Sequence, residues 1–310
     1  IMKIKPSLCC ISLHLQKKGI KANTMTKKRF FLLERKESVS ILSKRVLNNL
    51  HVVKETLKFC ISKGWNYRIS SDIFPLATLP EANLSYNSLP DYDAIMSVFD
   101  QCKNIISESG IRCSTHPDQF VVPAIYNDAV SQKSVVELKH HANFMDMLGL
   151  PHSYESPINI HMNCYKGNLQ EIANKFISVY NTLPINVKSR LVLENEDKPN
   201  SWSVKELYDY IYIHTGIPIT YDNLHFKCNP KGLNAHEALD ICVKTWVDYK
   251  PLFHFSDSDP NGKNPRAHCD YVHTVPEEYL IDYELDLDFE FKAKDYAIEK
   301  FTEEFLPYTT

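Results

Sequence analysis

The sequence predicts an α/β chain closed into a (β/α)8 TIM barrel, with residues 1–310 forming one domain. Two patterns carry that expectation. Short apolar runs of the kind that make buried parallel strands alternate with stretches of three-and-four apolar spacing, the mark of amphipathic helices. The later strand ends recur about every 30–45 residues, the length of a strand–helix unit. An absence points the same way. No Gly-x-Gly-x-x-Gly and no Walker A sequence occurs, which disfavours an open nucleotide-binding sheet and a nucleotide cofactor. Eight units in 310 residues favour a closed barrel, whose site lies at the C-terminal strand ends.

Residues 3–12 read as the first strand, followed by a basic, poorly patterned stretch to about residue 30. Leu42, Val46, Leu50, Val53, Leu57 and Ile61 mark one face of a helix over 39–61. Gly64 ends it, and 65–69 is the second strand, tipped by Ser70, Ser71 and Asp72. Ile95, Val98, Cys102 and Ile105 mark a helix closed by Gly110; strand 111–115 then ends at His116. Val135, Leu138, Ala142, Met145 and Leu148 mark a helix closed by Gly149; strand 158–160 ends at His161. Residues 169–180 are helical, and strand 190–193 ends at Glu194. Ser203 and Glu206 form a capping box opening a helix to Ile213, and strand 217–221 ends at Asp222. A helix from Asn234 through Val243 precedes a short strand, 252–253, ending at His254. A short helix over 278–283, a last strand over 285–289 ending at Glu290, and a helix over 294–304 complete the chain.

Composition narrows the function. Hydrophobic residues make up 44% and charged residues 24%, as in soluble globular proteins, and no apolar run approaches the roughly 18 residues of a membrane span. The segment from Met2 to Leu13 is short and mixed with Ser, and no small-residue cleavage site follows; it reads as a strand, not a signal peptide. Nine cysteines without paired spacing indicate reduced thiols in an intracellular protein. A net charge of −3 gives no global basic footprint, so any polyanion must be held by local basic loops or bound metal. No partner subunit is called for, and a monomer is expected.

The same pattern recurs along the chain: an apolar run, then Asp, Glu or His. A buried strand has no structural use for an ionisable tip. In a barrel His116, His161, Glu194, Asp222, His254 and Glu290, ending strands three to eight, converge at one mouth. His225, three residues past Asp222, and His268, after a polar loop, join them. Imidazoles with carboxylates and no clustered thiolates suit divalent ions such as Mn²⁺ or Zn²⁺, with Mg²⁺ a further candidate. Eight candidate ligands exceed the needs of one ion, so two or three ions are expected, with Glu194 bridging two. Such clusters perform phosphoryl chemistry. Asn195, Glu196 and Asp197 either orient the ligands or begin a solvated loop. His14, His51, His140, His141, His152, His214, His236 and His273 read as surface or helix residues. Around the mouth, Gln119 and Phe120, Tyr165 and Lys166, and Lys263 and Arg266 lie on loops where an aromatic can stack on bases and a cation can hold phosphates.

The residues resemble the UV damage endonuclease family. The matching segments are Arg68-Ile-Ser-Ser-Asp-Ile-Phe-Pro75, Thr115-His-Pro-Asp-Gln-Phe120, Leu193-Glu-Asn-Glu196, Tyr221-Asp-Asn-Leu-His225, His254-Phe-Ser, Arg266-Ala-His268 and Asp288-Phe-Glu290. They run in order over roughly residues 65–295. The resemblance implies a manganese-dependent repair endonuclease that nicks damaged double-stranded DNA immediately 5′ of a pyrimidine dimer. A metal-activated hydroxide is expected to attack the phosphorus, with Glu194, Asp222, His225 and Glu290 as catalytic residues. The implied metal ligands are His116, His161, Glu194, Asp222, His225, His254, His268 and Glu290, and the implied lesion probes are Gln119 and Phe120. The chain departs from the family at Leu252, where a lysine can stand, at Asp72, where some relatives have His, and in its first strand. Alternatives on the same barrel are an endonuclease IV-like AP endonuclease, a xylose-isomerase-like sugar isomerase, and an inactive damage-binding protein.

Overall fold

The computed structural model describes residues 3–280 and 283–306. Eight strands form one parallel sheet: β1 (Lys3–Cys9), β2 (Asn66–Ile69), β3 (Cys113–Thr115), β4 (Ile158–Ile160), β5 (Leu191–Glu194), β6 (Ile219–Thr220), β7 (Leu252–Phe255) and β8 (Glu284–Phe289). Their order is β6-β5-β4-β3-β2-β1-β8-β7. The two ends meet through a parallel bridge between Asp222 and His254, where the His254 N–H donates to the Tyr221 carbonyl at 2.9 Å. The result is a nearly closed TIM barrel with helices between its strands.

Alternation along each strand divides its side chains between lumen and helical shell. Leu8, Tyr67, Ile69, Ile158, Ile160, Leu191, Leu193, Phe253, Phe255, Leu287 and Phe289 are buried in the shell core. The intervening positions are largely polar: Ser7, Asn66, Arg68, Asn159, Glu194, His254, Asp286 and Asp288. The helix Arg35–Lys63 buries Leu42, Val46, Leu50, Val53 and Leu57, as its spacing predicts, and ends at Gly64, whose φ of 72° needs no Cβ. Tyr92–Ser109 ends likewise at Gly110, with φ 65°.

Several sequence-based boundaries move. The first strand stops at Cys9, because Cys10 turns to φ 69° and Ser12 caps a short helix, Leu13–Lys17. The basic stretch holds a second short helix, Lys27–Leu32. Strand β5 begins at Leu191, not Arg190, whose side chain is fully buried beneath it. The seventh strand runs to Phe255, so His254 lies inside it and not at its tip. The capping box at Ser203 opens only one α-turn, Val204–Leu207, before a π-turn over Tyr208–Tyr212 and a last turn, Ile213–Thr215. The expected helix over 278–283 is a 3₁₀ turn, Glu277–Leu280; residues 281 and 282 lie outside the described residues. All nine cysteines are free.

Candidate metal centre and nucleic-acid interface

The polar lumen positions climb in steps of two to the mouth, and there the ionisable residues meet around Glu194. This carboxylate is fully buried. Its Oε2 lies 3.0 Å from Nε2 of His116 and 3.0 Å from Nε2 of His161, and accepts from Asn159 Nδ2 at 2.6 Å. Its Oε1 lies 3.0 Å from His225 Nδ1 and 3.2 Å from His254 Nδ1. His254 Nδ1 also faces Asp222 Oδ2 at 3.7 Å and Glu290 Oε1 at 3.4 Å. Among the described residues, two groups bring their donor atoms within 4.8 Å of one another: His116, His161 and Glu194, and Glu194, Asp222 and His254. Glu194 belongs to both, the arrangement of a bridging ligand.

His225, His268 and Glu290 stand just outside those groups. The His225 Nδ1–H donates to the Asn195 carbonyl at 2.9 Å, leaving Nε2 as the nitrogen open to a cation. The His268 Nδ1–H donates to the Glu290 carbonyl at 2.6 Å, and its Nε2 is 3.9 Å from Glu290 Oε2. The His116 Nδ1–H donates to the Pro117 carbonyl at 2.9 Å. A backbone carbonyl accepting from one ring nitrogen fixes the tautomer and presents the other to a metal.

The electrostatics fit a cation site. Burial raises the Glu194 carboxyl, but His161 and His254, with hydrogen bonds from His116 and His161, outweigh it and hold the group well below the usual range. Burial opposes charge on His254, yet the Glu194 and Glu290 carboxylates push it up to about 9. His161 and His225 are raised against burial by neighbouring carboxylates, whereas burial prevails at His116 and lowers it. Glu290 is held low against burial chiefly by Arg68 and His254. Glu194 Oε1, Asp222 Oδ2 and His254 Nδ1 are buried without a hydrogen-bond partner. Buried polar atoms are costly unless paired, and a divalent ion held by Glu194, Asp222 and His254 would supply the missing partner. Imidazole and carboxylate donors without thiolate fit Mn²⁺, Zn²⁺ or Mg²⁺.

Residues assigned no ligand role from the sequence surround this cluster. Asn159 sits two positions before His161 and Asp288 two before Glu290, on the same lumen face. Asp288 Oδ2 is 3.7 Å from His254 Nε2, behind the imidazole. The Asn195 amide pairs with both backbone groups of Asp222, at 2.8 and 3.0 Å, locking β5 to β6. Glu196 is buried and accepts from the Asn163 N–H at 2.9 Å. Asp197 faces Arg266 at 3.6 Å. Leu252 is buried in β7, with no ionisable group in its place.

The loop residues differ in how free they are. Gln119 is exposed and Phe120 is 77% exposed, on a loop held by Asn163 Nδ2 donating to the Gln119 carbonyl at 2.8 Å. A cleft of about 610 Å³ lined by Phe120, Val121, Val130 and His141 opens beside it. Lys166, Lys263 and Arg266 are exposed. Tyr165 is tied down: its hydroxyl donates to Glu206 at 2.7 Å, Lys231 donates to it at 3.2 Å, and its ring packs on Trp202.

Fold and cluster define the class, a TIM barrel with an imidazole–carboxylate centre at the C-terminal mouth of its strands. Comparison with known proteins narrows it. The family model described as UV-endonuclease UvdE matches residues 6–309, and the chain belongs to that family. Two relatives are both named UV DNA damage endonuclease. One, from Nostoc sp. strain PCC 7120, is 29% identical over 89% of this chain and 83% of its own length. The other, from Bacillus velezensis, is 29% identical over 91% of this chain and 88% of its own. The crystal structure of SacUVDE superposes with a TM-score of 0.78 at 29% identity, covering 98% of this chain and 99% of that one. Endonuclease IV from Thermus thermophilus, at 13% identity and TM-score 0.58, shares the barrel alone, and so does a 3-keto-D-glucoside 4-epimerase from E. coli at 9% and 0.55. The chain is thus a DNA repair endonuclease of the UV DNA damage endonuclease family. No helix among the described residues is long and apolar enough to cross a membrane.

Proposed function

We propose that this chain nicks double-stranded DNA on the 5′ side of UV lesions, using two or three divalent ions, Mn²⁺ foremost, held at the barrel mouth. The observation that carries the reading is Glu194, shared by two donor groups in a barrel of this family. His116 and His161 serve one position, Asp222 and His254 the next, and His225, His268 and Glu290 complete the set. When bound, such ions lower the pKa of a bound water and offset charge developing on the phosphate oxygens. The protein's part is positioning and electrostatics. Asn159 orients Glu194, and Asn195 fixes the Asp222 backbone from which that carboxylate projects. Lys166, Lys263 and Arg266, on loops of the rim, hold backbone phosphates. Gln119 and Phe120 project from their loop to probe the base stack. Tyr165, its hydroxyl held by Glu206 and Lys231, lines the rim beside them.

The test is a gel assay on UV-irradiated plasmid with Mn²⁺, Zn²⁺, Mg²⁺ or chelator, followed by mapping on a duplex carrying one defined dimer. The reading expects ion-dependent nicks at the 5′ side of the dimer. Equal cutting of irradiated and intact plasmid, or no cutting with any ion, overturns it.

A further inference from the structure

Arg68 is a buried guanidinium in the barrel lumen, part of a matching segment to which the reading above gives no role. Its Nη1 hydrogen-bonds Glu290 Oε1 and lies 3.4 Å from Asp288 Oδ2. Strands β2 and β8 are not neighbours; β1 lies between them. The reach is open because β1 places small side chains at this level. Ser7 pairs in register with Asp288, and Cys9 with Arg68. With Oε1 engaged, Glu290 offers Oε2, and this atom faces Nε2 of His268 at 3.9 Å. That Nε2 is the free nitrogen, since the Nδ1–H is spent on the Glu290 carbonyl.

We infer that Arg68 is a positioning residue that holds Glu290 by one oxygen and so fixes how its carboxylate is presented to a divalent ion at the mouth. This rests on the metal-centre reading above. Without that hold the carboxylate is free to turn, and Oε1, 3.4 Å from His254 Nδ1, and Oε2, 3.9 Å from His268 Nε2, both lose their fixed places at the mouth. Asp288 shares the guanidinium and lies behind His254 Nε2, so Arg68 and Asp288 together brace both sides of that corner. Ligand-orienting partners of this kind typically govern metal affinity or activity by 10–100-fold.

The experiment titrates metal-free wild type, R68M and R68K with Mn²⁺ by calorimetry, and measures nicking kcat, KM for DNA and melting of the metal-free proteins. R68M should weaken the weakest Mn²⁺ binding step about 10–100-fold and lower kcat similarly. KM for DNA should stay within about twofold, because the guanidinium is spent on two carboxylates and only 11% exposed. R68K keeps the charge but cannot span two carboxylates, and should fall between. If R68M does not fold, R68K and the double variant R68M/D288N, which removes one stranded carboxylate, carry the comparison. Unchanged or tighter Mn²⁺ binding in the folded variants, with wild type binding normally, overturns this inference alone. A wild type that binds no divalent ion overturns the metal-centre reading and this inference with it.

Discussion

Asp222 and His254 close the barrel, and the same two residues face Glu194. The parallel bridge between them joins β6 to β7, while Asp222 Oδ2 and His254 Nδ1 lie 3.7 Å apart in one donor group. Barrel closure and the candidate ion site therefore share this seam. Adding Mn²⁺ to metal-free protein should raise the melting temperature. A 100-fold excess over Kd contributes about 2.7 kcal/mol, or roughly 5 °C for a chain of this size. Hydrogen exchange at the His254 amide, bonded across the seam, should slow together with it. A melting curve indifferent to Mn²⁺, Zn²⁺ and Mg²⁺ would refute the coupling.

Glu194→Ala removes the ligand common to both groups. Nicking of UV-irradiated duplex should fall by at least about 10²–10³-fold, the scale of losing one preorganised electrostatic group. Circular dichroism checks that the barrel persists, and metal analysis should show less bound Mn²⁺. Undiminished nicking would remove Glu194 from the centre.

Asn159→Ala strips the 2.6 Å hydrogen bond from Glu194 Oε2 while leaving every proposed ligand in place. Mn²⁺ affinity or activity should drop about 10–100-fold. Calorimetric titration reads the change directly, and affinity equal to wild type with full activity would count against any orienting role.

Phe120→Ala keeps the ions and removes the exposed ring. Base stacking on an aromatic is worth roughly 1–3 kcal/mol, so preference for damaged over intact duplex should fall by about 5–150-fold. Competition between the two duplexes measures it. A variant that discriminates as well as wild type would show that the ring does not probe the stack.

The barrel and most of its mouth were legible because tip residues follow apolar runs, a local signal. Glu194, His116 and His161 are of this kind. His254 was found as an ionisable residue but misplaced, because Phe255 continues the strand and nothing local distinguishes a tip from an inward-facing position. Asn159 went unread, and Arg68 and Asp288 entered only as ends of matching segments without a role, for a related reason. A polar residue inside a short strand looks like a propensity defect until closure shows that alternate positions share a lumen. The tether of Tyr165 was not legible either. It comes from Glu206, a residue 41 positions off, which a reading of one loop cannot supply.

Beneath β5, Arg190 makes a different kind of prediction. Its fully buried guanidinium donates to the carbonyls of Pro151, Ala142, Leu150 and Asn186, and to Asp146 Oδ1 at 2.7 Å. Removing it as Arg190→Met leaves those acceptors unpaired and should cost about 3 kcal/mol or more. Burial raises Asp146, but hydrogen bonds from Asn186 and Arg190, and the Arg190 charge, hold it below the ordinary carboxylate value. A depressed carboxylate contributes stability above its unfolded pKa of about 3.9 and loses it as pH falls through the lower folded value. Asp146→Asn should therefore melt below wild type at pH 7, with the gap shrinking beneath about pH 4. Thermal melts of both proteins between about pH 7 and about pH 3 decide it. A gap that stays constant or widens in acid would show that the Asp146 charge does not support this clamp.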